Sequence, residues 1–206
     1  MQEKGVRICG GLSIGITGGI ACGKSEVGKT ANAMGIEVLE ADDIARDELE
    51  PGRKAYEEAV SRFGKEILQA DGTIDRKALG DRVFENRAEL EALNRMVHPH
   101  VRIRWKTWLE ERLREDRVAA VIIPLLFEVN AEDGWDVIIC VASPETEVME
   151  RIKARGFTEE QARQRIAAQM NLEEKRKRSD YIIENKGSLR DLQADTEQLL
   201  SRILNK

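Results

Sequence analysis

Apolar positions along the chain alternate between two spacings. Residues 12–17 form a short β-prone run ending in glycines, and the helix-favouring residues 24–34 follow at once. Gly35 ends that helix, and residues 36–39 read as a second short strand running into Glu40-Ala41-Asp42-Asp43. Two strands joined through a helix imply a parallel pair. From about residue 43 to 117 the spacing is helical, as in Ala78-Leu79-Val83-Phe84, in Leu90-Leu93-Met96-Val97 and in Ile103, Trp105, Trp108 and Leu109, with a turn at Asp71-Gly72. Residues 118–123 and 137–141 are continuous apolar runs, the pattern of parallel strands buried on both faces. Pro144 begins a helix, and residues 159–178 are helical, rich in arginine and thin in apolar positions, so this stretch is expected to pack weakly by itself. Residues 181–183 make a last strand before a terminal helix over 189–204. The pattern predicts an α/β fold, a five-stranded sheet with two helical excursions.

Composition narrows the functional classes. The chain has 206 residues, 41% hydrophobic and 34% charged, with no excess of glycine or proline, which fits a helix-rich globular protein. Lysine and arginine number 33 against 38 acidic residues, a net charge of −5, which argues against a general nucleic-acid partner. Three cysteines, Cys9, Cys22 and Cys140, form no C-x-x-C pair and no zinc or disulfide spacing, so a reducing, cytoplasmic compartment is expected. No apolar run approaches the roughly 18 residues that cross a bilayer, so no membrane partner is expected. Residues 1–10 read as a short extension without the apolar stretch of a leader.

Gly18-Gly19-Ile20-Ala21-Cys22-Gly23-Lys24-Ser25 matches G-x-x-x-x-G-K-[ST] between a strand and a helix. Glycines let the backbone wrap phosphates with its N–H groups inward, and the helix that follows, through Glu26, presents its positive end. Lys24 would reach the terminal phosphates and the Ser25 hydroxyl would ligate magnesium. Such a loop specifies a nucleoside triphosphate but not a reaction. Cys22 near this helix start has two readings, a reactive thiol of depressed pKa or a small residue standing in for serine.

Further blocks narrow the choice. Thr17-Gly18-Gly19-Ile20 with Gly23-Lys24-Ser25 resembles the opening of the dephospho-coenzyme A kinase family, as does Glu40-Ala41-Asp42 with Ile44-Ala45-Arg46. His98-Pro99 with Val101-Arg102, Ile123-Pro124-Leu125-Leu126-Phe127-Glu128, Arg165-Ile166 with Gln169, and Asp180-Tyr181-Ile182-Ile183-Glu184-Asn185 follow in the family's order. The chain departs from that pattern at Ala21, Cys22, Glu26 and Glu40, and at Ile122, where many relatives carry an acid.

The resemblance implies a P-loop NTPase fold whose five-stranded parallel sheet carries ATP and Mg2+ and phosphorylates the ribose 3′-hydroxyl of dephospho-coenzyme A. It implies a nucleotide-binding core over 1–42, 118–145 and 179–206, a helical substrate-binding insertion over 43–117 and a lid over 146–178. Asp42 becomes the general base or a magnesium ligand, with a helix N-cap as the alternative. Arg46, His98, Arg102, Arg165 and Gln169 become candidate substrate contacts, although His98 also reads as a buried helix-end residue and Arg46 as a solvated one. Among Arg151, Arg155, Arg163 and Arg165 one or two would stabilise the transferring phosphoryl group, Arg155 first. Asn185 would lie near the adenine, or serve as a turn asparagine. The competing readings are a kinase of the same architecture for another nucleotide-like acceptor and a weakly active ATP-binding regulator.

Overall fold

The structure, a computed structural model, describes residues 11–84 and 86–205, so Cys9 and the expected N-terminal extension lie outside the described residues. Strand β1 (Leu12–Gly18) is buried almost throughout. A central parallel strand is covered on both faces, which is why its sequence does not alternate. The other strands are β2 (Glu37–Glu40), β3 (Val118–Ile122), β4 (Val137–Ala142) and β5 (Tyr181–Glu184). All are parallel, in the order β2-β3-β1-β4-β5. The register sets Gly18 beside Val141, Ile16 beside Ile122, and Glu40 beside Ile122. Ligands of open α/β sheets bind at the carboxyl edge formed in this way.

These strands belong to a unit made of residues up to Glu40 and from Trp108 onward. Helices α1 (Lys24–Ala33) and α9 (Leu189–Leu204) cover its core, where Ile14, Ile16, Val27, Ile139, Val141 and Leu200 are shielded from water. Each such side chain contributes about 1.5–3 kcal/mol through burial. A capping box between Ser188 and Asp191 starts α9, and Leu192, Thr196, Leu200 and Ile203 then recur on its inward face.

The arginine-rich stretch is broken where one helix was expected. Helix α6 (Glu145–Ala154) precedes it, and α7 (Glu159–Ala167) and α8 (Leu172–Arg178) divide it. The break follows from Asn171, whose side chain accepts from the Glu173 N–H and caps a new helix. Nor does this stretch pack weakly. Ala162 is fully buried, Ile166 and Leu172 pack on the core cluster, and so does Phe157 just before the stretch. Lys175 is also fully buried: its Nζ donates to the Pro124 carbonyl at 2.6 Å and pairs with Glu128 at 2.8 Å. The Met170 N–H donates to the same Glu128 oxygen at 2.8 Å, and Thr17 Oγ1 donates to the same Pro124 carbonyl at 3.2 Å. The few apolar positions are supplemented by a buried ion pair.

The second unit, Ala41–Thr107, is helical. It contains α2 (Ala41–Glu48), α3 (Lys54–Phe63), α4 (Arg76–Phe84) and most of α5 (Arg87–Arg114). Its own core is built from Ala59, Phe63, Ile67, Ile74, Leu79 and Val83. The expected turn at Asp71-Gly72 forms, Gly72 taking φ +85° between the bridged residues Leu68 and Ile74. Arg104 holds α5 to α2 through Asp47 at 3.1 Å and the buried Glu48 at 3.0 Å. The basic neighbourhood of Arg102 is therefore partly structural.

His98 is not at a helix end. Helix α5 runs through Pro99, which leaves the Arg95 carbonyl without its usual helical donor. Val97, Val101 and Trp105 are buried on either side of the proline, so apolar packing offsets that cost of about 3 kcal/mol. Burial pushes the His98 pKa below its ordinary value, and the Asp42 carboxylate pulls it part of the way back.

Two expectations follow. Lys175→Ala leaves the Glu128 carboxylate without its ammonium, and urea unfolding should show a loss of about 3–5 kcal/mol. The double variant Lys175→Met, Glu128→Gln should regain most of it, and a single-variant loss below about 1 kcal/mol would refute the role of the pair. For His98 the unfolded chain takes up its proton first, at about pH 6.5. The stability His98 contributes is therefore present above that pH and is lost as pH falls toward its lower folded value. Melting at pH 7.5 and 5.5 should differ less in His98→Gln than in the wild type, and identical differences would contradict this.

Candidate active site

The loop after β1 is shaped by positions that tolerate no side chain. At Gly18 φ is +144°, and an added Cβ would lie 2.1 Å from the Val141 carbonyl oxygen. At Gly23 φ is +100°, and a Cβ would lie 2.5 Å from Asn185 Nδ2. Gly23 is also the N-cap of α1, and no side chain caps this helix. Its first-turn N–H groups are thus not taken by a capping side chain, as an anion site at a helix start requires.

The carbonyls of the loop are held by side chains. Lys24 Nζ donates to Gly18 O at 3.2 Å and to Gly19 O at 2.7 Å. Arg151 donates to Ala21 O at 3.2 Å, and Asn185 Nδ2 to Cys22 O at 2.9 Å. Arg151 is itself fixed by Glu147 at 2.6 Å, by Ser143 Oγ at 2.9 Å and by Asn185 Oδ1 at 3.4 Å. Asn185 is buried and holds the loop from below, a function that neither its expected adenine contact nor a turn role describes. From α6, Arg151 does the same, whereas the sequence suggested contact with the transferring phosphoryl group.

Cys22 is buried, and burial pushes its thiol pKa up despite the opposing pull of the Lys24 ammonium. Burial and the raised pKa both run against the reactive-thiolate reading and favour a small residue standing in for serine.

The segment between α7 and α8 meets the loop directly. Gln169 Oε1 accepts from the Ile20 N–H at 2.9 Å. Arg165 stacks on the Phe157 ring at 4.3 Å, and Arg163 pairs with Glu159 at 2.9 Å. Arg155 is exposed at the end of α6. A cavity of about 720 Å³ opens beside the loop, lined by Gly19, Ile20, Ser143, Pro144, Gln169 and Glu184 among others. Its walls come from segments far apart in the chain, so the sequence offered no sign of it.

In the helical unit, α2 begins at Ala41, so Asp42 and Asp43 lie inside its first turn and neither is the N-cap. Asp42 is exposed, and Arg46, also exposed, donates to Asp43 at 2.5 Å. Arg102 is exposed on α5.

Ser25 Oγ donates to Glu40 Oε2 at 3.2 Å, which places two oxygen ligands together where a magnesium ion is expected. The residues fit such an ion. Among the described residues no group of three or more His, Cys, Asp or Glu could hold a metal. An ion here would therefore also draw on nucleotide phosphates, as magnesium commonly does. The Ser25–Glu40 contact was missed because Glu40 stood out in sequence only as a departure from the family pattern. Among the described residues no helix is long and apolar enough to cross a membrane.

Comparison with known proteins agrees with this geometry. The family model described as dephospho-CoA kinase matches residues 12–191. A dephospho-CoA kinase of Carboxydothermus hydrogenoformans is 44% identical over 196 residues, covering 94% of this chain and 93% of the relative. One from Bacillus cereus is 42% identical over 189 residues, covering 91% and 94%. Among solved structures, dephospho-CoA kinase from Campylobacter jejuni aligns with a TM-score of 0.70 at 32% identity, covering 94% of this chain and 97% of its own. Shikimate kinase from Acinetobacter baumannii, at 16% identity and a TM-score of 0.51, shares the fold alone. By its profile match, its relatives and its phosphate loop, the chain belongs to the dephospho-CoA kinase family.

Proposed function

We propose that this protein transfers the γ-phosphoryl group of ATP to the ribose 3′-hydroxyl of dephospho-coenzyme A, giving coenzyme A and ADP. The observation that carries the reading is the phosphate loop, with its carbonyls held by Lys24, Arg151 and Asn185, in a chain of this family. Phosphoryl transfer needs little covalent help from a protein, so positioning and charge do most of the catalysis.

Lys24 leaves the Gly18 and Gly19 carbonyls for the terminal phosphates. The magnesium ion, held by Ser25 together with the phosphates, would draw negative charge off the group in transfer. Asp42 accepts the proton of the 3′-hydroxyl as that oxygen bonds to the γ-phosphorus. The bond to the β-phosphate oxygen breaks and ADP leaves. Arg155, exposed and without an ion pair among the described residues, is the arginine that meets the transferring group. Arg46, His98 and Arg102 contact the acceptor, and Arg165 and Gln169 contact substrate once the segment between α7 and α8 adjusts. The adenosine occupies the cavity beside the loop, near Asn185.

A steady-state assay with ATP, Mg2+ and dephospho-coenzyme A tests the reading, with other nucleotide-like hydroxyl acceptors as controls. Faster turnover on one of those acceptors would replace the substrate assignment. Lys24→Ala should lower kcat by roughly 10²–10³-fold, the loss typical of removing a transition-state charge contact. Its melting temperature without nucleotide should fall by no more than the loss of two hydrogen bonds explains, since Lys24 also holds the Gly18 and Gly19 carbonyls.

Asp42→Asn keeps the shape of the side chain but cannot accept the proton. Turnover should fall by roughly 10²–10⁴-fold while ATP affinity and melting are kept. Raising magnesium should not restore it; restoration would assign Asp42 to the metal, and turnover within a few-fold of wild type would remove it from the chemistry.

A further inference from the structure

At the carboxyl end of β3 the chain places an apolar residue against α1. A Cβ added to Gly28 would lie 2.6 Å from Ile122 Cδ1 and 3.3 Å from Val38 Cγ1, so Ile122 and Val38 both face that helix. Side chains alternate along a strand, so Glu40, two residues beyond Val38, points to the same face. It is also the register partner of Ile122. On α1, Ser25 lies three residues before Gly28 and shares its side of the helix. The contact between Ser25 Oγ and Glu40 Oε2 at 3.2 Å is the result.

We infer that Glu40 is the protein carboxylate of the magnesium site, supplied by the outer strand β2 because β3 ends in isoleucine. The inference rests on the proposed ATP–magnesium reading. A serine hydroxyl that donates its hydrogen to Glu40 keeps its lone pairs for a cation. The bond fixes the hydroxyl rotor, and the carboxylate adds the charge that a hard divalent ion favours. Among the described residues no cation pairs with Glu40. Lys29 on α1, whose charge Glu40 also feels, is bound to Glu26 at 2.7 Å. Magnesium is commonly held by one or two carboxylates plus substrate phosphates, the set that Glu40, Ser25 and a bound triphosphate provide.

The test is Mn2+ binding, read by electron paramagnetic resonance, to the full chain with a non-hydrolysable ATP analogue. Glu40→Gln and Glu40→Ala should each weaken Mn2+ in the nucleotide complex by about 10–100-fold, the usual effect of removing a metal's supporting carboxylate. Affinity for the analogue without metal should stay within about twofold. Ser25→Ala separates the two levels of the argument. If it loses Mn2+ while Glu40→Gln keeps wild-type affinity, the phosphate-loop metal site stands and the role of Glu40 is overturned. If the wild-type nucleotide complex takes up no Mn2+, the underlying reading fails first. An equal drop in metal-free analogue affinity would reduce Glu40 to a support of the loop.

Discussion

A phosphate loop is a problem of peptide-group accounting. Each non-proline residue carries one N–H and one C=O, and a loop that keeps donors for an anion must find other partners for its buried acceptors. Here Lys24 takes the carbonyls of Gly18 and Gly19, Arg151 that of Ala21 and Asn185 that of Cys22. Arg151 stands on α6 and Asn185 follows β5, so the loop depends on the sheet bringing three distant segments to one edge. The buried core beneath β1 and α9 is what makes that edge rigid enough to present a donor surface.

The parts of the molecule that sequence revealed are those written in local chemistry. The P-loop was legible because its geometry is set by glycines at fixed offsets between a strand and a helix. Strands β3 and β4 were legible because a parallel strand buried on both faces is a continuous apolar run. The terminal helix was marked by its spacing. In contrast, the split of α7 from α8 hung on Asn171 acting as a cap in the middle of an otherwise helical pattern. Helix α5 crosses Pro99 because buried neighbours outweigh a local rule, and no local reading weighs them.

The site shows the same division. Gly18, Gly23, Lys24 and Ser25 carry their roles in their spacing. Arg151 was visible only as one of four candidate arginines, and its bond to Ala21 crosses 130 positions of sequence. Gln169 looked like a substrate contact, and its bond to the Ile20 amide ties it to the loop. Cys22 and Glu40 were noticed as departures, and only burial and strand register gave them a physical meaning.

The short connector between α7 and α8 has a further consequence. Gln169 is bonded to the phosphate loop, while its neighbour Met170 is bonded through Glu128 to the segment after β3. Glu128 in turn holds Lys175, whose other partner, the Pro124 carbonyl, also receives Thr17 at the end of β1. Adjacent residues thus moor the connector to two different stretches of backbone, and those stretches meet again at one oxygen. Local unfolding divides a protein into parts that open together. The connector, the start of the phosphate loop and the turn after β3 form such a part: a fluctuation that frees one loosens all three.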